Sequence, residues 1–145
     1  MIEPIYIDWR GVPPTATAQQ KGVSFHGGHA HFFEKASVRS AREVLMAAFR
    51  PFVPSAPIST PVTLTAAWVF PWRKSEKKSV VSRGVNVPCP TRPDLDNLEK
   101  LLLDVLAQMG FIADDSLVWS KATKKMRGPC PGIFVMIVPD LGGVE

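Results

Sequence analysis

The sequence predicts an α+β fold, a two-layer domain in which a mixed β-sheet packs against two main helices. A chain of 145 residues, 46% hydrophobic and 21% charged, is long enough to bury one core. Two segments repeat apolar residues at helical spacing, and other segments are rich in β-branched and aromatic residues. The resulting order of strand, helix, strand, helix, strand, strand is typical of a sheet covered by helices. We therefore expect a single domain over residues 1–145.

In the N-terminal half, two strands and a helix are predicted. Residues 5–9 alternate apolar and polar side chains and predict a strand, and the turn-rich residues 11–28 predict a loop. Residues 33–49 carry apolar side chains at helical spacing and are followed by a proline, so they predict a helix that ends there. Residues 51–61 form a proline-rich connector, and residues 61–70 predict a strong strand.

The C-terminal half is organised around one amphipathic helix. Apolar residues recur at steps of three and four from Leu95 to Met109, which is the spacing of a buried helix face. Asp94 or Asp96 is placed to cap the helix start, and Gly110 suits the left-handed position at its end. The boundaries of this helix are therefore well marked.

Two further strands are predicted after this helix, at residues 117–124 and 133–138. Residues 127–132 contain two glycines and two prolines, and we expect them to join these strands as a hairpin with a long loop. Residues 73–92, which precede the helix, are predicted to form a long basic loop.

The start of the helix gathers several groups that bind ions. Asp94 is expected in the extended segment before the helix and Asp96 inside its first turn, so both carboxylates can converge at the helix mouth. Lys100 lies one turn after Asp96 on the same face. A strand returning after the helix would carry Asp114 and Asp115 back towards that mouth.

These acids have a structural interpretation and a functional one. An aspartate at a helix start is commonly a cap, which stabilises the helix by about 1 kcal/mol. Clustered carboxylates, however, repel one another unless a cation neutralises them, and hard oxygen ligands select magnesium or manganese. The acids taken together therefore favour a metal site.

Positive charge lies on both sides of the acids in the sequence. The net charge of +4 suits a polyanionic partner, although a charged segment is also commonly just a solvated surface. Because the acidic site lies next to these cations, we expect contacts with DNA phosphates. The predicted DNA-binding residues are Arg73, Lys74, Lys77, Lys78, Arg83, Arg92, Lys124, Lys125 and Arg127.

Other features limit the function classes. No apolar run reaches the roughly 20 residues that cross a bilayer, and the first residues have no signal-peptide pattern, so a cytoplasmic protein without membrane contact is expected. Cys89 and Cys130 lack metal-ligand spacing and are expected to be unpaired thiols. His26, His29 and His31 lie in a glycine-bearing segment, which favours a solvated loop over a zinc site.

The order and spacing of motifs in the second half of the chain resemble the signature of the RusA family of Holliday-junction resolvases. The resemblance implies a small homodimeric, magnesium-dependent endonuclease that nicks four-way DNA junctions symmetrically. It also implies that Asp94, Asp96 and Asp115 bind metal and are catalytic, and that Lys100 is functional. The matching segments are Asp94-Leu95-Asp96-Asn97-Leu98-Glu99-Lys100, Asp104-Val105-Leu106, Gly110-Phe111 and Asp114-Asp115-Ser116.

These residues predict phosphodiester hydrolysis. Asp94, Asp96 and Asp115 would hold one or two Mg²⁺ ions, with Mn²⁺ as an alternative, and Lys100 would bind the phosphate. A homodimer would present two such sites to a junction whose arms are also related by a two-fold axis. The alternatives are a non-catalytic DNA-binding or architectural protein, and a nuclease for other branched DNA such as flaps and forks.

Overall fold

A five-stranded mixed sheet forms one layer of the structure, and two long helices pack on one of its faces. The computed structural model describes residues 3–16 and 21–140. This architecture confirms the predicted α+β class. In chain order the elements are β1 (Ile5–Arg10), β2 (Lys21–His26), β3 (His29–Glu34), α1 (Ala36–Phe49), β4 (Val62–Phe70), α2 (Lys78–Val81), β5 (Val87–Pro88), α3 (Leu95–Met109), β6 (Val118–Arg127) and β7 (Gly132–Pro139), with 3₁₀ turns at Arg50–Phe52 and Asp115–Leu117.

The strand order of the sheet is β1-β7-β4-β6-β5. β4 pairs with β6 in parallel and with β7 antiparallel, so it lies between the last two strands. The predicted hairpin between those strands is therefore wrong. The physical reason is burial: β4 has the largest share of buried residues of any strand in the sheet and takes its centre, where both of its edges are paired.

The predicted loop over residues 11–28 is also wrong in its second half, where β2 and β3 form an antiparallel hairpin. Its two-residue turn is Gly27-Gly28, with φ values of 57° and 82°. A two-residue hairpin turn of this hand favours glycine at both positions because both φ angles are positive. The sequence therefore contained a hairpin signal, a glycine pair between two segments of β-forming residues.

Two element boundaries and the content of one predicted loop also differ from the predictions. The first helix begins at Ala36 rather than at residue 33, because the preceding residues belong to β3. The strand predicted at 117–124 continues to Arg127, where it pairs with β5. The basic segment 73–92 is not all loop, since it contains the short α2 and β5.

The core lies between the sheet and helices α1 and α3. The apolar face of α3 predicted from the sequence is confirmed, since Leu98, Leu101, Leu102, Val105 and Leu106 are all buried. Burial of one such side chain stabilises the fold by about 1.5–3 kcal/mol. Within the described residues, no helix combines the length and apolar character needed to cross a membrane.

The two ends of α3 lie at the expected residues. Asp94 occupies the N-cap position with an extended backbone. Gly110 ends the helix at φ 84°, and its amide bonds back to the last turn. Directly after it, the ring of Phe111 packs edge-on against Phe49, with 6.4 Å between ring centroids. These contacts hold α3 beside α1 on the same face of the sheet and fix where its polar face points.

The packing of α3 predicts the cost of removing one of its side chains. We expect Leu102→Ala to lower the free energy of unfolding by about 2–5 kcal/mol, because the lost contacts leave a cavity. Leu103→Ala is the matched control, since Leu103 is only partly buried, and it should cost clearly less. Urea denaturation measures both values. Equal losses for the two variants would contradict this assignment of the core face.

Candidate active site

Two of the predicted catalytic acids lie at the start of α3. Asp94 precedes the helix and Asp96 lies in its first turn, and both are exposed. Within the described part of the chain, the Asp94 side chain accepts no capping hydrogen bond, although it occupies the capping position. The Asp94 carboxylate therefore does not cap the helix, and it is exposed to solvent.

The exposed face of α3 carries a polar stripe formed by Asp96, Lys100 and Asp104. These residues are spaced by four and all three are exposed, so their side chains lie one above the other along the helix. Asp104 also lies 4.0 Å from the guanidinium of Arg42 on α1. Lys100 is thus flanked along the helix by two acidic residues on one accessible surface.

The second acidic pair, Asp114 and Asp115, lies at the 3₁₀ turn before β6. The pKa of Asp115 is raised, first by its hydrogen bond to the Asp114 carboxylate and then by desolvation and the negative charges of Asp114 and Asp104. The pKa of Asp114 is lowered, mainly because its carboxylate accepts a hydrogen bond of 2.9 Å from the Ser116 hydroxyl. Crowded negative charge is therefore a property of this turn.

The two acidic groups lie at opposite ends of the same helix face. Asp115 is close enough to Asp104 for that charge to raise its pKa, and Asp104 follows Asp96 by eight residues, about 12 Å along a helix. Within residues 3–16 and 21–140, no three His, Cys, Asp or Glu side chains form a ready-made metal site. One chain thus brings Asp94 and Asp96 to one end of the stripe and Asp115 to the other. The expectation that a strand would carry Asp115 back to the start of α3 is therefore wrong within one chain, because the 3₁₀ turn of Asp115 follows directly after the end of the helix.

Strand β6 faces α3 with a row of polar side chains, here called the β6 inner row, formed by Lys121, Thr123, Lys125 and Arg127. They alternate along the strand and stand beside buried residues of β4. Glu99 of α3, only 8% exposed, accepts a hydrogen bond of 2.7 Å from Thr123 and forms an ion pair with Lys121. This row therefore ties the strand to the helix that carries the acids.

The last two members of the β6 inner row hold the segment before Asp94. The Lys125 ammonium donates hydrogen bonds to the backbone carbonyls of Thr91 and, at 2.8 Å, Pro93. The Arg127 guanidinium donates to the carbonyl of Pro71 at 3.0 Å and to the Thr91 hydroxyl at 3.2 Å. DNA contact was predicted for Lys125 and Arg127, but both side chains instead make these hydrogen bonds within the protein.

The other predicted DNA-binding cations lie on the surface. Arg73 pairs with Glu76 at 3.2 Å and remains partly exposed. Lys77 and Lys78 mark the start of the short α2, and Lys124 lies on the opposite side of β6 from the inner row. The exposed members of the predicted set are Arg73, Lys74, Lys77, Lys78, Arg83, Arg92 and Lys124.

Sequence reasoning missed Glu99, Thr123 and Thr91, the partners of the β6 inner row. The signal was present, because Lys121, Thr123, Lys125 and Arg127 recur at every second position, which places them on one face of a strand. The clustering of positive charge along this segment suggested DNA contact instead. Only the parallel pairing with β4 reveals that this face lies against the helix.

The donor set fits a hard divalent cation. The exposed carboxylates of Asp94, Asp96 and Asp115 are oxygen ligands of the kind that Mg²⁺ and Mn²⁺ prefer. The raised pKa of Asp115 indicates negative charge that a cation would relieve. The chemistry of these side chains therefore agrees with a metal-dependent reaction.

Comparison with known families covers most of the chain. The family model described as endodeoxyribonuclease RusA matches residues 11–138, a range that includes the acids, Lys100 and the β6 inner row. A search of curated proteins gave no significant match. Because the family match spans most of the sequence, the chain belongs to the RusA family of endodeoxyribonucleases, whose activity is Holliday-junction resolution.

Proposed function

We propose that this protein is a magnesium-dependent endodeoxyribonuclease that resolves four-way DNA junctions by paired, symmetric nicks. Membership of the RusA family establishes the nuclease class, its general metal dependence and branched DNA as the substrate. The observation that carries the finer proposal is the exposed polar face of α3. Asp94 and Asp96 lie exposed at one end of this face, and Asp115 lies at the other.

In the proposed mechanism, Asp94, Asp96 and Asp115 hold the metal and Lys100 binds the scissile phosphate. When bound, the ion lowers the pKa of a water molecule and offsets charge on the phosphate. Lys100 stands beside Asp96 on the exposed face, so its ammonium adds positive charge where negative charge develops. The remaining carboxylate oxygens orient the attacking water by accepting its hydrogen bonds.

We propose that the active form is a homodimer whose metal sites are completed across a two-fold axis. Within one chain, Asp115 lies near Asp104, about two turns of α3 from Asp96. A two-fold axis near Lys100, perpendicular to α3, would bring the Asp115 end of one helix to the Asp96 end of the other. Two equivalent sites would follow, one for each of two symmetric strands of a junction.

The exposed cations of the segment before α3 are proposed to contact DNA phosphates. Arg73, Lys77, Lys78 and Arg83 are all exposed, and the short α2 and β5 place them on the segment that leads to Asp94. Phosphate contacts supply affinity without reading sequence, which suits an enzyme that recognises the shape of a junction.

The metal assignment predicts the effect of Asp96→Asn. Removing a residue that only orients a metal ligand already lowers metal affinity or activity by about 10- to 100-fold. Removing a ligand itself should therefore lower cutting of a synthetic four-way junction in Mg²⁺ at least about 100-fold. Junction binding without metal should persist, since the exposed cations are unchanged. Asp8→Asn, a matched substitution at an exposed position on β1, should retain activity. Wild-type cutting by Asp96→Asn would show that Asp96 is not catalytic. Faster cutting of forks or flaps than of four-way junctions by the wild-type protein would show that the proposed substrate is wrong.

The composite site predicts rescue between two inactive variants. Homodimers carrying Asp96→Asn or Asp115→Asn have a defect in both sites. A heterodimer of the two has one site with both defects and one site with none, so it should regain cutting as single nicks. Heterodimers isolated with two affinity tags and assayed on supercoiled cruciform DNA test this expectation. Heterodimers as inactive as the homodimers would show that each site lies within one chain.

The exposed basic segment predicts a change in salt dependence. Lys77→Ala with Lys78→Ala should weaken junction binding and lower the slope of log affinity against log salt by about one unit per lost phosphate contact. The variant with both residues changed to arginine keeps the charge and should keep the slope. Titrations of labelled junction at several salt concentrations measure it. An unchanged slope in the alanine variant would assign both lysines to a solvated surface.

A further inference from the structure

Two neighbouring lysines of β6 have opposite surroundings. Lys124 stands opposite Ala67 of β4 and is exposed, whereas Lys125 stands opposite Trp68, which is only 2% exposed, and is itself half-buried. Successive side chains of a strand point to opposite faces, so the pair places one cation on the surface and one against the α3 layer. Sequence alone gives both residues the same role.

The Lys125 side chain is committed to the backbone just before Asp94. Two of the three N–H donors of an ammonium are used by the carbonyls of Thr91 and Pro93. The Lys125 backbone adds a third link, because its carbonyl accepts a hydrogen bond of 3.1 Å from the Cys89 amide. Lys125 thus holds residues 89–93 against β6 from both its side chain and its main chain.

The contact with Pro93 bears directly on Asp94. A peptide unit is planar, and the unit that contains the Pro93 carbonyl also contains the Asp94 nitrogen and Cα. Fixing the direction of that carbonyl therefore fixes the position from which the Asp94 side chain extends. Within the described residues, no capping hydrogen bond holds the Asp94 carboxylate, so its placement depends on its backbone.

We propose that Lys125 is a positioning residue that sets the Asp94 carboxylate for metal binding, rather than a DNA contact. This inference rests on the proposed function, in which Asp94 is a metal ligand. Partners that orient a ligand commonly account for about 10- to 100-fold in metal affinity when they are removed. Hydrogen bonds from a charged donor are also stronger than neutral ones, which suits a residue that must hold a loop in place.

The experiment compares Lys125→Met, Lys125→Arg and the matched control Lys124→Met in the full-length protein. Hydrogen–deuterium exchange of residues 91–97 without metal reports backbone order, calorimetric titration with Mn²⁺ reports metal affinity, and junction binding in EDTA reports DNA contact. For Lys125→Met we expect faster exchange over residues 91–97 and a loss of Mn²⁺ affinity of about tenfold, with an unchanged salt slope. Lys124→Met should instead lower the salt slope and leave exchange and Mn²⁺ affinity unchanged.

Lys125→Arg keeps the positive charge but alters the contact with the two carbonyls. It should also weaken Mn²⁺ binding without changing the salt slope, and it serves as the test if Lys125→Met does not fold. The proposal is overturned if Lys125→Arg behaves as wild type while Lys125→Met lowers the salt slope, or if neither variant changes exchange over residues 91–97. Failure of the proposed function is distinguishable, since it would appear as a wild-type protein that neither binds Mn²⁺ nor cuts junctions.

Discussion

The parallel pairing of β4 with β6 is the constraint on which the rest of this structure depends. Parallel neighbours cannot be joined by a tight turn, so the chain must cross over the sheet between them, and α3 is the long helix of that crossover. A crossover helix runs opposite to its strands, which brings its start to their carboxyl ends. Open sheets commonly bind ligands at that edge. Asp94 lies there because of the topology, since within the described residues its carboxylate makes no capping hydrogen bond.

The polar row on the inner face of β6 has a physical cause in the segment that it holds. Residues 88–93 contain Pro88, Pro90 and Pro93, and a proline has no N–H to contribute to regular pairing. The carbonyls of such a segment still need donors, since an unpaired buried polar group costs about 1–3 kcal/mol. Lys125 supplies those donors to the carbonyls of Thr91 and Pro93, and Arg127 donates to the Thr91 hydroxyl of the same segment. Lys125 and Arg127 therefore make hydrogen bonds to the protein in place of bonds to water. These bonds hold the irregular segment 88–93 in one place beside Asp94.

Local pattern was enough for part of this fold and not for the rest. The burial of α3 and its end at Gly110 followed from spacing and from one residue that accepts a positive φ, both of which act within a few residues. The position of β4 between β6 and β7 did not follow from local pattern, because it depends on which distant strands pair with its two edges. The same limit applied to the site: Asp94, Asp96 and Asp115 were predicted from a motif, whereas the partners of Lys125 are 32 and 34 residues away in sequence. A strand of alternating cations indicated a shared face but not what that face would meet.

The separation of the acids along α3 gives the proposed enzyme a physical reason to act only when assembled. Asp94 and Asp96 alone would supply two carboxylates to a metal ion. The pKa of Asp115 is already raised, first by its hydrogen bond to Asp114 and then by desolvation and neighbouring negative charges. Mg²⁺ gives up its water ligands reluctantly, so neither end by itself is a strong site. In a dimer, Asp115 of one chain would add a carboxylate to the Asp94 and Asp96 pair of the other, and the bound metal ion would offset the negative charge around Asp115. Dimer formation and metal binding would therefore stabilise each other. Such linkage would favour two loaded sites over one, and two loaded sites on a symmetric junction are what paired nicking requires.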